Sequence, residues 1–136
     1  MIIASFVWNI LLLQEKTLVQ PQADVPAQIL SLMPLKPASA AFASSKGVAC
    51  ILQQGDRRQL VVYLYELPAT RGSEAYQVWM LQDGVRSNAG TFRVQDNGLG
   101  VLILDMRPEQ RFDAIGVTLE PDAVGSAPRG SKVVGS

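Results

Sequence analysis

The chain has 136 residues, enough for one domain with a real apolar core plus an appendage. Twelve basic residues balance twelve acidic ones and the longest basic run is Arg57-Arg58. With no basic stripe to neutralise phosphates, nucleic acid is excluded as a partner class.

There is no histidine, and Cys50 is the only cysteine. This removes Ser-His-Asp and Cys-His activation of a nucleophile, because the base is missing. It also removes imidazole metal sites, the blue-copper arrangement included, and any intrachain disulfide or thiolate cluster. Cys50 stands in the apolar run Val48-Ala49-Cys50-Ile51-Leu52 and reads as a small buried hydrophobe. A domain of this size needs no disulfide, so an extracytoplasmic home stays open.

Residues 1–13 contain only Ser5 and Asn9 as polar residues. As a helix they would reach about 20 Å, short of the roughly 30 Å hydrocarbon core of a bilayer. Trp8 and Asn9 sit where a span would approach the interface, which favours the C-terminal part of a transmembrane helix over a peripheral apolar helix. A signal peptide fits less well, with no basic n-region before the run and no small-x-small site after it. Residues 14–37 hold Pro21, Pro26, Pro34 and Pro37 among glutamines, which predicts an extended, semi-rigid juxtamembrane linker. Ile29 to Met33 is an apolar exception within it.

The domain proper is expected over 38–136, as short β-type runs separated by turn residues. Ala38 to Ala43 is a weak first strand. Lys46 to Gln53 follows, ended by Gly55-Asp56, then Gln59 to Leu67, ended by Pro68. The latter is apolar on both faces and therefore reads as a mid-sheet strand with its second face covered. Glu74 to Gln82 leads into Asp83-Gly84, which offers the positive φ of a tight hairpin. Val85 to Val94 closes on Asp96-Asn97-Gly98, a second hairpin signal. Gly100 to Asp105 and Phe112 to Glu120 follow, with Lys132 to Val134 as a possible edge strand. Seven or eight such strands predict an all-β fold, an antiparallel β-sandwich of Ig-like or Greek-key type, or a small barrel.

No residue stands out as catalytic, cofactor-binding or metal-binding, and no cofactor or enzyme activity is expected. Asp96-Asn97-Gly98 lacks the further carboxylates of a calcium loop. Asp105, Glu109 and Asp113 share a stretch with Arg107, Pro108 and Arg111, which reads as a solvated loop of offset charges. Ser44-Ser45-Lys46 is not a Ser-x-x-Lys motif. Gly125 to Gly135 reads as a C-terminal loop, not a phosphate loop. Tyr76 and Trp79 point to opposite faces of one strand, so they cannot form a shared sugar platform, and one of them belongs to the core.

Three runs carry a family pattern: Glu74-Ala75-Tyr76-Gln77-Val78-Trp79-Met80, Asn88-Ala89-Gly90-Thr91-Phe92, and Ile115-Gly116-Val117-Thr118-Leu119-Glu120-Pro121. Their order and spacing resemble the C-terminal, extracytoplasmic domain of the bacterial anti-sigma-K factor family. Gly47, Leu67-Pro68, Gly84 and Gly135 match as well, and all of these look fold-defining. The tail departs from the pattern: Ala127-Pro128-Arg129-Gly130 stands where the family more often has Pro-Thr-Gly.

The resemblance implies a single-pass protein of the bacterial cell membrane with residues 38–136 outside. It implies a sigma factor as partner, held by a cytoplasmic region outside these residues, and negative regulation of transcription. It further implies release of the sigma factor by regulated intramembrane proteolysis, with site-1-type and site-2-type proteases acting at the juxtamembrane segment. A membrane-tethered ligand- or carbohydrate-binding module is the alternative, and a purely structural domain a third.

Overall fold

A computed structural model describes residues 26–136, so the expectations for residues 1–13 and 14–25 lie outside the described residues. Eight strands follow in chain order: β1 (Gln28–Pro37), β2 (Lys46–Gln54), β3 (Arg57–Tyr65), β4 (Ala75–Gln82), β5 (Val85–Phe92), β6 (Gly100–Asp105), β7 (Ala114–Glu120) and β8 (Ser131–Gly135). All pairings are antiparallel and the order across the sheet is β5-β4-β7-β8-β1-β2-β3-β6. The expected sandwich is thus realised as one sheet bent back on itself into a nearly closed barrel. The bend falls at β1, which pairs with β2 from Gln28 to Leu35 and with β8 only at Lys36 and Pro37.

The two end strands, β5 and β6, approach without pairing. The Phe92 ring lies on Gly100, where a Cβ would stand 2.2 Å from the ring, and Leu102 packs beneath Gly90. Phe92 also stacks on Tyr76, with ring centroids 5.5 Å apart, so the gap is closed by aromatic packing. Inside lie Leu35, Ala49, Leu60, Val62, Leu64, Tyr76, Val78, Val117 and Val134, all essentially without solvent exposure. Each such aliphatic side chain stabilises the fold by about 1.5–3 kcal/mol relative to exposure.

Local chemistry explains most element ends. Asp83 and Gly84 both take positive φ (52° and 82°), as a two-residue type I′ hairpin between β4 and β5 requires. Gly55-Asp56 joins β2 to β3.

Several expectations are corrected. Residues 28–37, placed in the linker, are a full strand. Pro34 fits there because β1 is paired on one side only until Lys36, and alternate N–H groups of such a strand lie outside any ladder. Residues 40–42 form a 3₁₀ turn instead of a first strand. Asp96-Asn97-Gly98 turns, with Gly98 at φ 72°, but makes no hairpin: it carries the chain from one free edge of the sheet to the other. Its Gly98 carbonyl accepts the Leu67 N–H at 3.0 Å, which ties it to the end of β3. Residues 131–135 are no edge strand, because β8 lies between β7 and β1.

Candidate functional site

The face of β4 and β7 turned away from the core is where the patterned residues converge. In the β4–β7 ladder Gln77 stands opposite Thr118 and Trp79 opposite Gly116. Because side chains alternate along a strand, Tyr76, Val78 and Met80 point inward while Gln77 and Trp79 point outward with Thr118 and Glu120. Yet Gln77, Trp79, Thr118 and Glu120 are all buried. Both Tyr76 and Trp79 are therefore covered, on opposite faces, although the sequence suggested room for only one.

The cover is the segment 121–130. Pro121 stops β7, and the chain returns across the outer face before entering β8. Gln77 Nε2 donates to the Gly125 carbonyl at 3.1 Å. The Glu120 carboxylate accepts the backbone N–H of Arg129 at 3.0 Å and that of Gly130 at 3.2 Å, with the Arg129 guanidinium 3.4 Å away. Arg129 also grips Asp122 at 2.7 Å, bridging the two ends of the strap. Ser73 Oγ donates to the Pro121 carbonyl at 2.7 Å. Gly130 has to be glycine: a Cβ there would stand 1.7 Å from the Leu119 carbonyl oxygen.

Beneath the strap a polar relay runs along the face. The Trp79 indole N–H donates to Thr118 Oγ1 at 2.9 Å, and Glu120 follows Thr118 by two residues on the same face of β7. Burial alone would raise the Glu120 carboxyl. The Thr118 hydroxyl, the Arg129 and Gly130 amides and the Arg129 charge outweigh it and hold the group below the ordinary glutamate value. A hydrogen bond from Arg129, joined by the Val124 amide, holds Asp122 low in the same way. On the inner face the Tyr76 hydroxyl donates to the Pro68 carbonyl at 2.6 Å, and its phenol is pushed up to about 12 by burial and by Glu74.

The remaining candidates are not brought together. Asp105 meets Arg57 and Gln59, Glu109 meets Arg107, and Asp113 accepts the Asp83 amide. Ser45 is buried and donates to the Glu66 carbonyl, while Lys46 lies over the Tyr65 ring. Cys50 is not in the core: it is half-buried on the outer side of β2. A small pocket of about 250 Å³ opens beside the strap, between Trp79, Arg86, Pro128 and Lys132. A shallower groove of about 580 Å³ lies between the 3₁₀ turn, Glu66 and Asn97.

Reading residues one at a time missed the strap, and Arg129 above all. The available signal was a ten-residue segment bounded by Glu120-Pro121 and Pro128-Arg129, opposite charges at its two ends.

A buried polar cluster locked by a structural strap, with Asp105, Glu109 and Asp113 engaged elsewhere, defines an all-β domain whose patterned residues hold the fold. The family model described as anti-sigma-K factor rskA, C-terminal, matches residues 1–132. The chain belongs to that family, a family of anti-sigma factor domains that are typically non-enzymatic. Searches of curated proteins and of solved structures each find no match. Among the described residues no helix is long and apolar enough to cross a membrane.

Proposed function

We propose that this chain is the extracytoplasmic regulatory domain of a membrane-bound anti-sigma factor, and that its folded state controls the proteolysis that frees the sigma factor. Residues 1–13 would anchor it as the end of a transmembrane helix, and a cytoplasmic region beyond these residues would hold the sigma factor. Site-1-type and then site-2-type proteases would act at the juxtamembrane segment.

The observation that carries this reading is the place of β1. The strand that follows the apolar and proline-rich segments is laid into the sheet, paired with β2 along seven register positions and touching β8 at its end. A protease takes its substrate as an extended, unpaired chain. Within 28–37 the chain is extended but paired, so cleavage there requires the barrel to open. The fold then acts as a cap on the last ten residues of the tether.

The test uses the full-length protein in cells. Trp79→Ala removes a large buried side chain and the head of the polar relay, so it should raise sigma-dependent transcription. Unchanged transcription with a demonstrably destabilised domain would rule the cap out. Tyr76 and Trp79 offer the carbohydrate-binding alternative no platform, since both are buried and both hydrogen-bonded.

A further inference from the structure

We propose that the pocket beside the strap is a binding site for a small carboxylate with an apolar body. Its floor includes Gly116, which stands opposite Trp79 on β4 and opposite Gly135 on β8. The backbone does not require glycine at 116, since its φ lies outside the positive range. Packing does not require it either: among the described residues a Cβ there would meet only the Lys132 Cε, at an ordinary 3.7 Å. The missing side chain leaves room, as a strand glycine does where another molecule approaches the backbone. That room is a cavity of about 250 Å³, walled by Trp79, Leu81 and, from the strap, Pro128.

Charge selects the occupant. Arg86 and Lys132 both line the cavity, and no carboxylate does. Among the described residues neither cation has an ion pair or a side-chain hydrogen bond. The carboxylates at the far end of this face are already taken, because Arg129 holds both Glu120 and Asp122. Nearer Arg86, at the β4–β5 hairpin, Asp83 accepts from Gln82 Nε2 and Asp113 accepts the Asp83 amide. Neither lines the cavity, which is thus locally positive in a chain of zero net charge. A phosphate site converges backbone N–H groups on its ligand, and here the strap amides of Arg129 and Gly130 are spent on Glu120. A carboxylate gripped by a guanidinium fork and an ammonium needs no such amides. The volume equals about eight waters at about 30 Å³ each, so the ligand has on the order of ten non-hydrogen atoms. Trp79, Leu81 and Pro128 then cover its apolar body. Such a ligand touches the strap and the β4–β7 ladder at once and stabilises the folded state by mass action. Under the function proposed above, on which this consequence rests, it would keep β1 paired and the sigma factor bound.

The test follows the Trp79 indole N–H resonance of the full chain in nonionic detergent micelles, identified by its persistence in Trp8→Phe. Benzoate is the probe. It should shift that resonance saturably, with a dissociation constant on the order of 1 mM for so small a ligand, and raise the melting temperature. Gly116→Val should weaken binding about tenfold or more by filling the cavity, and Arg86→Gln and Lys132→Met about tenfold each. All three should keep an unliganded melting temperature close to the native one. Arg57→Gln, whose arginine on β3 pairs with Asp105, should bind benzoate as the native chain does. Three results would overturn the proposal. Benzoate leaves the resonance unmoved well above the millimolar range; or benzamide, its neutral isostere, or inorganic sulfate binds as tightly, which removes the selection for charge or for an apolar body; or the Gly116, Arg86 and Lys132 variants all bind like the native chain, which places benzoate elsewhere. None of these readouts involves the sigma factor or a protease, so the pocket and the cap stand or fall separately.

Discussion

Trp79 donates its indole N–H to Thr118 Oγ1 at 2.9 Å across the β4–β7 ladder, on the face turned away from the core. The Tyr-Gln-x-Trp and Val-Thr-x-Glu-Pro runs, some forty residues apart, are thereby two halves of one buried device. Its outer lid is the 121–130 strap. Thr118→Val keeps the shape but leaves the indole N–H buried and unpaired, which should cost about 1–3 kcal/mol. Thr118→Ser should recover most of it. Thermal or urea unfolding of the three proteins checks this.

Glu120 gives the domain an acid-sensitive lock. Its folded-state value lies below its unfolded one, near 4.5. The stabilisation is therefore fully present above pH 4.5 and is lost as the pH falls through the folded-state value. Glu120→Gln should be less stable than the native domain at neutral pH, and the difference should shrink as the pH is lowered below that range. Stability measured against pH for the two proteins, in parallel, decides it.

The two glycines nearest the relay should behave oppositely. At Gly130 a Cβ would meet the Leu119 carbonyl oxygen at 1.7 Å, backbone that cannot move without breaking the β7–β8 pairing. At Gly116 the nearest atom to a Cβ is the Lys132 Cε, 3.7 Å away. Gly130→Ala should lower stability by about 3 kcal/mol or more or prevent folding, an effect of the size found for strained or overpacked sites. Gly116→Ala should stay within about 1 kcal/mol. Expression and melting temperature separate the two.

Much of this architecture was written in local pattern. Strands β2 to β7 follow from apolar runs bounded by Gly, Asp, Asn and Pro, and Asp83-Gly84 set the β4–β5 hairpin by its need for positive φ. What escaped was non-local. Pro34 and Pro37 argue against a strand on propensity, and only the one-sided pairing of β1 makes room for them. Asp96-Asn97-Gly98 has the chemistry of a turn, but no local signal says that the strands it joins are the two free edges of the sheet. Gln77, Trp79, Thr118 and Glu120 were visible as a pattern. Their partner Arg129 was not, because the strap that brings it back is fixed by a ring of tertiary hydrogen bonds. Cys50 looked buried by its neighbours in sequence, whereas period-two alternation from Ala49 puts it outside.

The central claim, that the fold shields the entry strand, is tested most directly by limited proteolysis of the full chain with the cut sites identified by mass spectrometry. In the native protein the first cuts should fall before Gln28, with 28–37 intact, and Trp79→Ala should open new cuts between Gln28 and Pro37 under the same conditions. Equal cleavage within 28–37 in the native and Trp79→Ala proteins would contradict the account.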